Sequence, residues 1–323
     1  MLARLSPLAA SFSPAPRLSV VTALFNCLPL TQAMVAGLRA TLPPGLTHEI
    51  ILVDDGSTDG TREWLATLGQ PFRVVLNAGN LGYAAANNHG ATLARGEYLA
   101  LLNNDLVLGP GWLEPLLAAH RSLGAQAGIV GNVQTDARTG LVDHAGILFN
   151  HQGKPEHDRI RPSSAARRFR PVRPAPAVTG ACMLLTTALW RELGGFDEGY
   201  VNGCEDVDLC LRATAAGRRN AVALRSVIGH HISSSPGRKR RDEANTQRLA
   251  QRWRATLVRL AVPAWCRAYL SGDPITLPDQ ALARQCLWFL LGLRRTPPPG
   301  ACAGVQATLE LELQRWQSMG GGS

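Results

Sequence analysis

Two acidic clusters stand directly after apolar runs of the sequence, where a strand would end. Asp55 follows the run 49–53, and a carboxylate at a strand end can accept hydrogen bonds from a nucleobase or a ribose hydroxyl. Asp105 follows the run 98–102 and is preceded by Asn104. A single carboxylate beside amide groups suits Mg²⁺, which takes one or two protein carboxylates and completes its shell with water and substrate phosphates. The alternative for both clusters is an ordinary polar turn.

A third cluster, Glu205 and Asp206, begins a segment with a helical pattern. The partial positive charge at a helix N-terminus keeps a carboxylate ionised, as a general base requires. Asp208 and Arg212 lie four residues apart in the same segment, and we interpret them as a helix salt bridge. His230 ends a later strand-like run, where a neutral imidazole can complete a metal shell, although a structural histidine is the more common role.

A glycine opens the helical pattern at 83–94. Gly82 at a helix start lets a phosphate or a ribose approach the backbone, and Asn88 follows within the same helix. The alternative is a capped helix whose side-chain amides are solvated. Taken alone, neither residue decides between the two interpretations.

Apolar runs alternate with helical patterns through the first hundred residues. Four runs predict buried strands and two segments between them predict helices: 18–24, 49–53, 73–76 and 98–102 for the strands, 29–41 and 83–94 for the helices. This alternation predicts an α/β fold with a mostly parallel, Rossmann-like sheet and helices on both faces. Ligands of such sheets bind beyond the carboxyl ends of the strands, so the loops after Leu24, Val53 and Leu102 should carry the chemistry.

The composition excludes several classes of protein. The 323 residues are 46% hydrophobic and 18% charged, as in globular proteins, and no apolar run is long enough to cross a membrane. The seven cysteines form no C-x-x-C pair, which argues against a disulfide framework and a structural zinc site. The N-terminal segment lacks the continuous apolar stretch of a signal peptide. We therefore expect a cytoplasmic protein.

The net charge of +9 is concentrated in two segments. Residues 151–174 carry seven Lys and Arg against two acidic side chains, and residues 238–241 are all basic. This pattern indicates an anionic partner at both segments, or else solvated surface charge. The sequence contains no basic patch with regularly interleaved aromatic residues and no recognised nucleic-acid-binding module, so we expect no nucleic-acid partner.

Seven sequence blocks together resemble the inverting glycosyltransferases of family 2, which have the GT-A fold. The resemblance is closest to the rhamnosyltransferase-like bacterial branch of that family. It extends from Leu18 to about Ser235 and rests on these blocks: VVTALFN at 20–26, ILVDDGSTDGT at 51–61, NLGYAAANN at 80–88, LLNND at 101–105, TGACM at 179–183, GGFDE at 194–198 and EDVDLCLR at 205–212.

The resemblance implies a donor site. Asp55 would contact the nucleobase, with Ala23 supplying backbone beside it. Gly82 and Asn88 would border the nucleotide pocket, and Gly180 would line the sugar pocket.

The resemblance also implies a metal site and a general base. Asn104 and Asp105 occupy the family's D-x-D-like position with Asp105 as the metal ligand, and His230 stands where relatives carry a metal-ligating histidine. Asp206 would be the general base, and Glu205 would orient the acceptor or the donor sugar.

The implied reaction is a metal-dependent, inverting transfer. Mg²⁺ or Mn²⁺ would assist the transfer of a sugar from a nucleoside-diphosphate donor, dTDP-rhamnose or a UDP-hexose. The acceptor would be a hydroxyl of a glycan or lipid-linked molecule in cell-surface polysaccharide synthesis. The alternative is a catalytically silent GT-A-like module that binds a nucleotide sugar or a glycan. Peripheral contact with an anionic membrane and a homo-oligomer stay open.

The composition along the chain also predicts its organisation. The C-terminal helical patterns either pack on the core or bring their aromatic residues to a membrane interface; these residues are Trp265, Tyr269, Trp288 and Phe289. We expect four regions: a flexible tail at 1–16, a GT-A catalytic domain at 17–235 with a mobile basic loop at 151–177, a C-terminal helical region at 236–319, and a flexible tail at 320–323.

Overall fold

The computed structural model describes residues 16–231, 242–272 and 279–320, and they form an α/β fold around one large mixed sheet. The first part of the chain confirms the predicted alternation of strands and helices, with ends that differ by at most two residues. It contains β1 (Leu18–Leu24), α1 (Leu28–Thr41), β2 (His48–Asp54), α2 (Thr61–Leu65), β3 (Phe72–Leu76), α3 (Tyr83–Thr92) and β4 (Tyr98–Leu102).

The middle of the chain adds the other half of the sheet. Its elements are β5 (Leu106–Val107), α4 (Glu114–Ser122), β6 (Ala127–Asp136), β7 (Val142–His144), β8 (Ile147–Phe149), β9 (Pro155–His157), α5 (Ser164–Phe169), β10 (Val172–Pro174), β11 (Cys182–Thr186), α6 (Thr187–Leu193), α7 (Glu205–Ala215) and β12 (Arg219–His230). The strand order is β10-β12-β6-β11-β4-β1-β2-β3, with β5 paired to β12 and β7 paired to β6.

The strand directions bring many strand ends to one edge of the sheet. β1 is parallel to β2 and β4, and β12 is parallel to β6. β11 is antiparallel to both β4 and β6, so its amino end lies beside the carboxyl end of β4. The mostly parallel α/β sheet expected from the sequence is confirmed.

Apolar side chains fill both faces of this sheet. Because successive residues of a strand point to opposite faces, Val21 and Ile51 belong to one buried cluster while Val20 and Ile50 belong to the other. Helices cover both clusters, as the continuous apolar runs of β1 and β2 predict.

The C-terminal region consists of α8 (Asp242–Leu270), α9 (Gln280–Leu290) and α10 (Pro299–Gly320). The backbone of α8 departs from helical angles at Trp253. Leu249, Leu257 and Val262 of α8 are buried in the same cluster as Val21, so these helices pack on the sheet domain. Within the described ranges, no helix is both long and apolar enough to span a membrane.

Several expectations fall outside the described residues. These are the boundary at 235/236 and the basic run 238–241, together with most of the N-terminal tail (1–15) and the end of the C-terminal tail (321–323).

The segment 151–177, which the sequence predicts to be a mobile basic loop, contains short regular elements, and its mobility stays a prediction. β9 forms a hairpin with β8, and β10 pairs with β12 at the edge of the sheet. Arg225 donates to two carbonyl oxygens at the end of α5, at 2.7 and 2.9 Å, and Arg173 forms an ion pair with Asp158 at 2.8 Å. Pro174 is tolerated because it lies in an edge strand, where its missing N–H need not remove a hydrogen bond between strands.

Candidate active site

The turns at the carboxyl edge of the parallel strands contact one another directly. Asn103, after β4, donates its backbone N–H to the carbonyl oxygen of Ala181, before β11, at 2.9 Å. His231, after β12, donates in the same way to the carbonyl oxygen of Asp105 at 3.0 Å. Polar and titratable residues that are far apart in the sequence therefore meet at this edge, as expected for an α/β sheet.

Left-handed backbone occurs at two turns of this edge. Among the described residues, four non-glycine residues have positive φ: Asn26 (56°), Cys27 (60°), Asn202 (55°) and Cys204 (68°). Such residues cost about 1–3 kcal/mol each and persist where surrounding contacts hold them, commonly at functional sites. The turns after β1 and before α7 are therefore the strained parts of the backbone here.

The Asp55 carboxylate supports the loop that leads into α3. Its Oδ1 accepts hydrogen bonds from Nδ2 of Asn77 at 2.8 Å and from the N–H of Leu81 at 3.0 Å. Its Oδ2 accepts from the N–H of Gly82 at 2.9 Å. Asp55 is buried, so these bonds fix the loop firmly. Contact between Asp55 and a nucleobase stays a prediction.

Gly56 and Gly82 shape the same loop from two sides. A Cβ on Gly56 would lie 2.7 Å from the backbone carbon of Gly79, and the φ of Gly56 is +86°. A Cβ on Gly82 would meet nothing within 4 Å, so the space beside the start of α3 is open, as a ligand approach requires. Ala23, half-buried near the end of β1, lies opposite Val53 in the sheet.

Asp105 and His230 are brought together by a short strand pairing. β5 begins directly after Asp105, and Leu106 lies opposite His230 in the β5–β12 ladder. Oδ1 of Asp105 is 3.2 Å from Nε2 of His230, and both side chains are buried. Asn104 instead turns towards α1, where its Nδ2 donates to Oγ1 of Thr31 at 2.9 Å. The structure thus unites the two predicted metal ligands and gives Asn104 a supporting contact.

The Asp105–His230 pair fits a divalent cation. Adjacent ligands about 2.1 Å from Mg²⁺ in an octahedral shell are about 3 Å apart, close to the separation of this pair. Nδ1 of His230 has no hydrogen-bond partner among the described residues, and its Nε2 faces the carboxylate of Asp105. The described residues include no third His, Cys, Asp or Glu that would complete a metal cluster with this pair. Water and substrate phosphates would supply the remaining ligands.

Gly180 links the start of α3 to the start of α7. Its N–H donates to Oδ2 of Asp206 at 2.8 Å, and its carbonyl oxygen accepts from the hydroxyl of Tyr83 at 2.8 Å. A Cβ on Gly180 would lie 3.0 Å from that hydroxyl oxygen, so a larger residue would crowd Tyr83. Oδ1 of Asp206 accepts from the N–H of Val207 at 2.7 Å. The half-buried Asp206 carboxylate is therefore held in a fixed orientation at the helix N-terminus.

Glu205 stabilises the strained turn that precedes α7. Its Oε2 accepts from the N–H of Gly203 at 2.6 Å, and the side chain is buried. The turn also reaches α3, because Oδ1 of Asn202 accepts from the N–H of Tyr83 at 3.5 Å. Glu205 lies beside Asp206 as predicted, and its role in orienting a sugar stays a prediction.

The structure engages Asn88 in a contact that the sequence did not suggest. Its Nδ2 donates to the carbonyl oxygen of Phe196 at 3.0 Å and to Oε1 of Glu198 at 2.8 Å. Its Oδ1 accepts from the N–H of Phe196 at 2.9 Å. The amide therefore supports the turn after α6, and its position beside a nucleotide stays a prediction.

Helix α8 braces the strained turn from outside the sheet domain. The amide of Asn245 pairs with the backbone of Val201: its Oδ1 accepts from the N–H at 3.2 Å, and its Nδ2 donates to the carbonyl oxygen at 2.9 Å. Asn245 is 3% exposed, so both bonds are shielded from water. The sequence analysis missed this residue, because a single asparagine in a helical pattern does not indicate its partner.

Helix α8 also holds α7 through Asp208, which is fully buried. Arg212 donates to Asp208 at 2.8 Å, so the predicted helix salt bridge is confirmed. From α8, Nε1 of Trp253 donates to Asp208 at 2.8 Å, and a guanidinium nitrogen of Arg252 lies 3.2 Å from its Oδ1. A buried carboxylate with this many donors fixes the position of α7 against α8.

A buried histidine supports the segment that holds Asp206. Nε2 of His144 accepts from the N–H of Thr179 at 3.4 Å, next to Gly180. This acceptor role requires a neutral ring. Burial, together with the neighbouring His157, holds the pKa of His144 well below its usual value.

The fold is that of the GT-A glycosyltransferases. The sequence profile described as Glycosyl transferase family 2 matches residues 19–192, which is more than half of the chain. The chain belongs to glycosyl transferase family 2, and the predicted family is confirmed. Asp206, His230 and α8 all lie beyond the matched residues.

Relatives and solved structures agree with this assignment. The O-antigen biosynthesis protein RfbC of Myxococcus xanthus is 32% identical over 303 residues, covering 90% of this chain and 22% of its own length. The N-acetylglucosaminyl-diphospho-decaprenol L-rhamnosyltransferase of Mycobacterium tuberculosis is 28% identical over 305 residues, covering 86% of this chain and 95% of its own length. This chain thus spans about a quarter of some curated relatives and nearly all of others.

A solved structure shows the same fold. The crystal structure of GalNAc-T7 with UDP, GalNAc and Mn²⁺ superposes with a TM-score of 0.58 and 17% sequence identity. The match covers 86% of this chain and 57% of the other.

Proposed function

We propose that this protein transfers a sugar, with inversion, from a nucleoside-diphosphate donor to a hydroxyl of a glycan or lipid-linked acceptor in cell-surface polysaccharide synthesis. The observation that carries the proposal is the Asp105–His230 pair at the same sheet edge as the helix-start carboxylate of Asp206. Such a transfer needs ligands for a divalent cation and a general base.

In the proposed reaction, Asp206 removes the proton of the acceptor hydroxyl as that oxygen attacks the anomeric carbon. Each carboxylate oxygen of Asp206 accepts one backbone hydrogen bond and keeps a lone pair for the incoming proton. The N-terminus of α7 places favourable backbone dipoles beside the carboxylate. A single displacement inverts the configuration, so no enzyme nucleophile is required.

Asp105 and His230 are the residues that would hold Mg²⁺ or Mn²⁺. The ion, when bound, supplies Lewis-acid stabilisation of the diphosphate leaving group. The Mn²⁺ and UDP in the GalNAc-T7 structure support this part of the proposal.

The named relatives support the proposed donor and acceptor classes. The name of the mycobacterial rhamnosyltransferase supports rhamnose as the sugar of the proposed dTDP-rhamnose donor, and UDP in the GalNAc-T7 structure supports a UDP-hexose as the alternative. The same relative is named for a diphospho-decaprenol, which supports a lipid-linked acceptor.

The test is thermal unfolding with dTDP, UDP and GDP, each with and without Mn²⁺, on the wild type and on Asp105→Ala. A ligand at a hundredfold excess over its dissociation constant stabilises the native state by about 2.7 kcal/mol. We expect a metal-dependent rise in Tm for one nucleotide, lost in Asp105→Ala. A wild type that responds to none of the three nucleotides would contradict the proposal.

A further inference from the structure

Helix α9 presents apolar side chains to solvent. Leu287, Trp288 and Leu291, which lie on one side of the helix, are 46%, 45% and 63% exposed. The other side is apolar as well: Cys286 is fully buried, and Leu282 packs against the main core cluster. A surface helix of a globular protein normally turns polar residues outward. An apolar outward side indicates a partner surface.

The turn after α9 extends this surface. Gly292 has a φ of +73°, and the N–H groups of Leu293 and Arg294 both donate to the carbonyl oxygen of Trp288, at 2.9 and 3.1 Å. These bonds fix Leu293, which is 73% exposed. We call the four side chains of Leu287, Trp288, Leu291 and Leu293 the α9 face.

Basic residues border the α9 face. The guanidinium of Arg284 lies over the ring of Trp288, 5.4 Å from its centroid, and Arg294 and Arg295 follow the helix. Residues 280–309 contain no Asp or Glu. Of the described residues, no carboxylate forms an ion pair with any of these three arginines. Among the described residues, the charge beside the α9 face is therefore positive.

We propose that the α9 face docks on an anionic lipid surface, with its apolar side chains in the interface and the three arginines at the headgroups. Tryptophan and arginine around an apolar helix side are the usual composition of such interfacial helices. A second copy of the chain fits less well, because a two-fold interface brings each patch against itself and would oppose arginine to arginine. Of the four aromatic residues singled out in the sequence, Trp265, Tyr269 and Phe289 pack against the main core cluster, and Trp288 is exposed. Trp288 is therefore the one of these four that contacts lipid in this proposal.

The proposal concerns where the protein works and does not rest on the proposed transfer reaction. Its test is flotation of the full chain with vesicles of phosphatidylglycerol and phosphatidylcholine, and with vesicles of phosphatidylcholine alone. We expect binding to the anionic vesicles that weakens as salt is added. The combined change Leu287→Ser, Trp288→Ser and Leu291→Ser should weaken this binding at least tenfold. Arg284→Gln with Arg295→Gln should weaken it and reduce its dependence on salt.

Leu76→Ser is the matched control, because Leu76 is 55% exposed on the edge strand β3 and should leave vesicle binding unchanged. All variants should keep the far-ultraviolet circular dichroism and the nucleotide-dependent Tm shift of the wild type. Equal vesicle binding by the triple variant and the wild type would overturn the proposal. So would a wild-type dimer, found by sedimentation without vesicles, that the triple variant dissociates. Loss of the nucleotide response alone would count against the transfer reaction and leave the docking proposal standing.

Discussion

The donor side and the catalytic side of the candidate site are held by contacts of different range. On the donor side, Asp55 binds the backbone of Leu81 and Gly82, 26 and 27 residues further along the chain. All three lie within the residues that match the family profile. On the catalytic side, the turn before Asp206 is held by Asn245, which lies 44 residues beyond its partner and outside those matched residues.

The two sides of the site therefore depend on different parts of the chain for their geometry. The donor loop is positioned by contacts among the first strands and α3, and no hydrogen bond among the described residues joins it directly to the C-terminal helices. The catalytic turn contains left-handed Asn202 and Cys204, and part of what holds it comes from α8. Substitutions in α8 should therefore lower kcat without weakening donor binding.

Asp206→Asn should abolish most of the activity and spare the donor side. The amide can still accept the hydrogen bond from Gly180 but cannot take a proton, so kcat should fall by about 10²–10⁴-fold. Nucleotide binding, followed by the Tm shift, should stay at the wild-type level. Glu192→Gln is the control, because that carboxylate is exposed and pairs with Arg218 away from the site. An Asp206→Asn enzyme within tenfold of wild type would remove Asp206 as the base.

Gly56→Ala should destabilise the protein at the donor side of the site. The new Cβ would lie 2.7 Å from the backbone of Gly79, at a φ of +86°. Left-handed strain of about 1–2 kcal/mol and overpacking of about 1–3 kcal/mol should together lower the free energy of unfolding by about 2–5 kcal/mol. Nucleotide binding should weaken as well. Gly79→Ala is the matched control, because a Cβ there meets nothing within 4 Å. Equal melting of the two variants in urea would contradict the close packing at Gly56.

Asn245→Ala and Asn77→Ala form a matched pair across the two sides. Both asparagines are buried, and each supports one side of the site. Unpaired buried polar groups cost about 1–3 kcal/mol, so both variants should lose stability of that order. Their kinetics should differ: Asn245→Ala should lower kcat by about 10–100-fold through a displaced Asp206, with the donor KM little changed. Asn77→Ala should raise the donor KM. The same kinetic change in both variants would refute the separation of the two sides.

A pH dependence should arise on the catalytic side from His144. The pKa of this buried ring is lowered in the folded protein, so the unfolded chain binds the proton first. The contribution of His144 is thus present above its ordinary pKa of about 6.5 and is lost as the pH falls below it. The loss is at most about 1.4 kcal/mol per pH unit. His144→Gln keeps an acceptor for Thr179 and should reduce the slope, whereas the exposed control His151→Gln should not. Equal slopes in urea unfolding between pH 5 and 6.5 would exclude this role.

The sequence predicted β1, β2 and β4 well, because a strand buried on both faces must be a continuous apolar run and must end in a turn. It did not predict the short elements in the segment 151–177. The strands there are three residues long, and their pairing depends on β8 and β12. Short edge strands rich in proline carry no periodic signal, so this part of the fold was not predictable from local pattern.

By itself, the sequence determined the family, the alternation of strands and helices, and the residue types at each strand end. These features depend on local patterns and on the order of motifs, which the chain carries without being folded. The tertiary structure decided which of those residues meet. It brought Asp105 to His230 through the β5–β12 ladder, turned Asn88 to the turn after α6, and set Asn245 of α8 against Val201. Such contacts arise only when distant segments share one sheet edge or one core, and no local spacing encodes them.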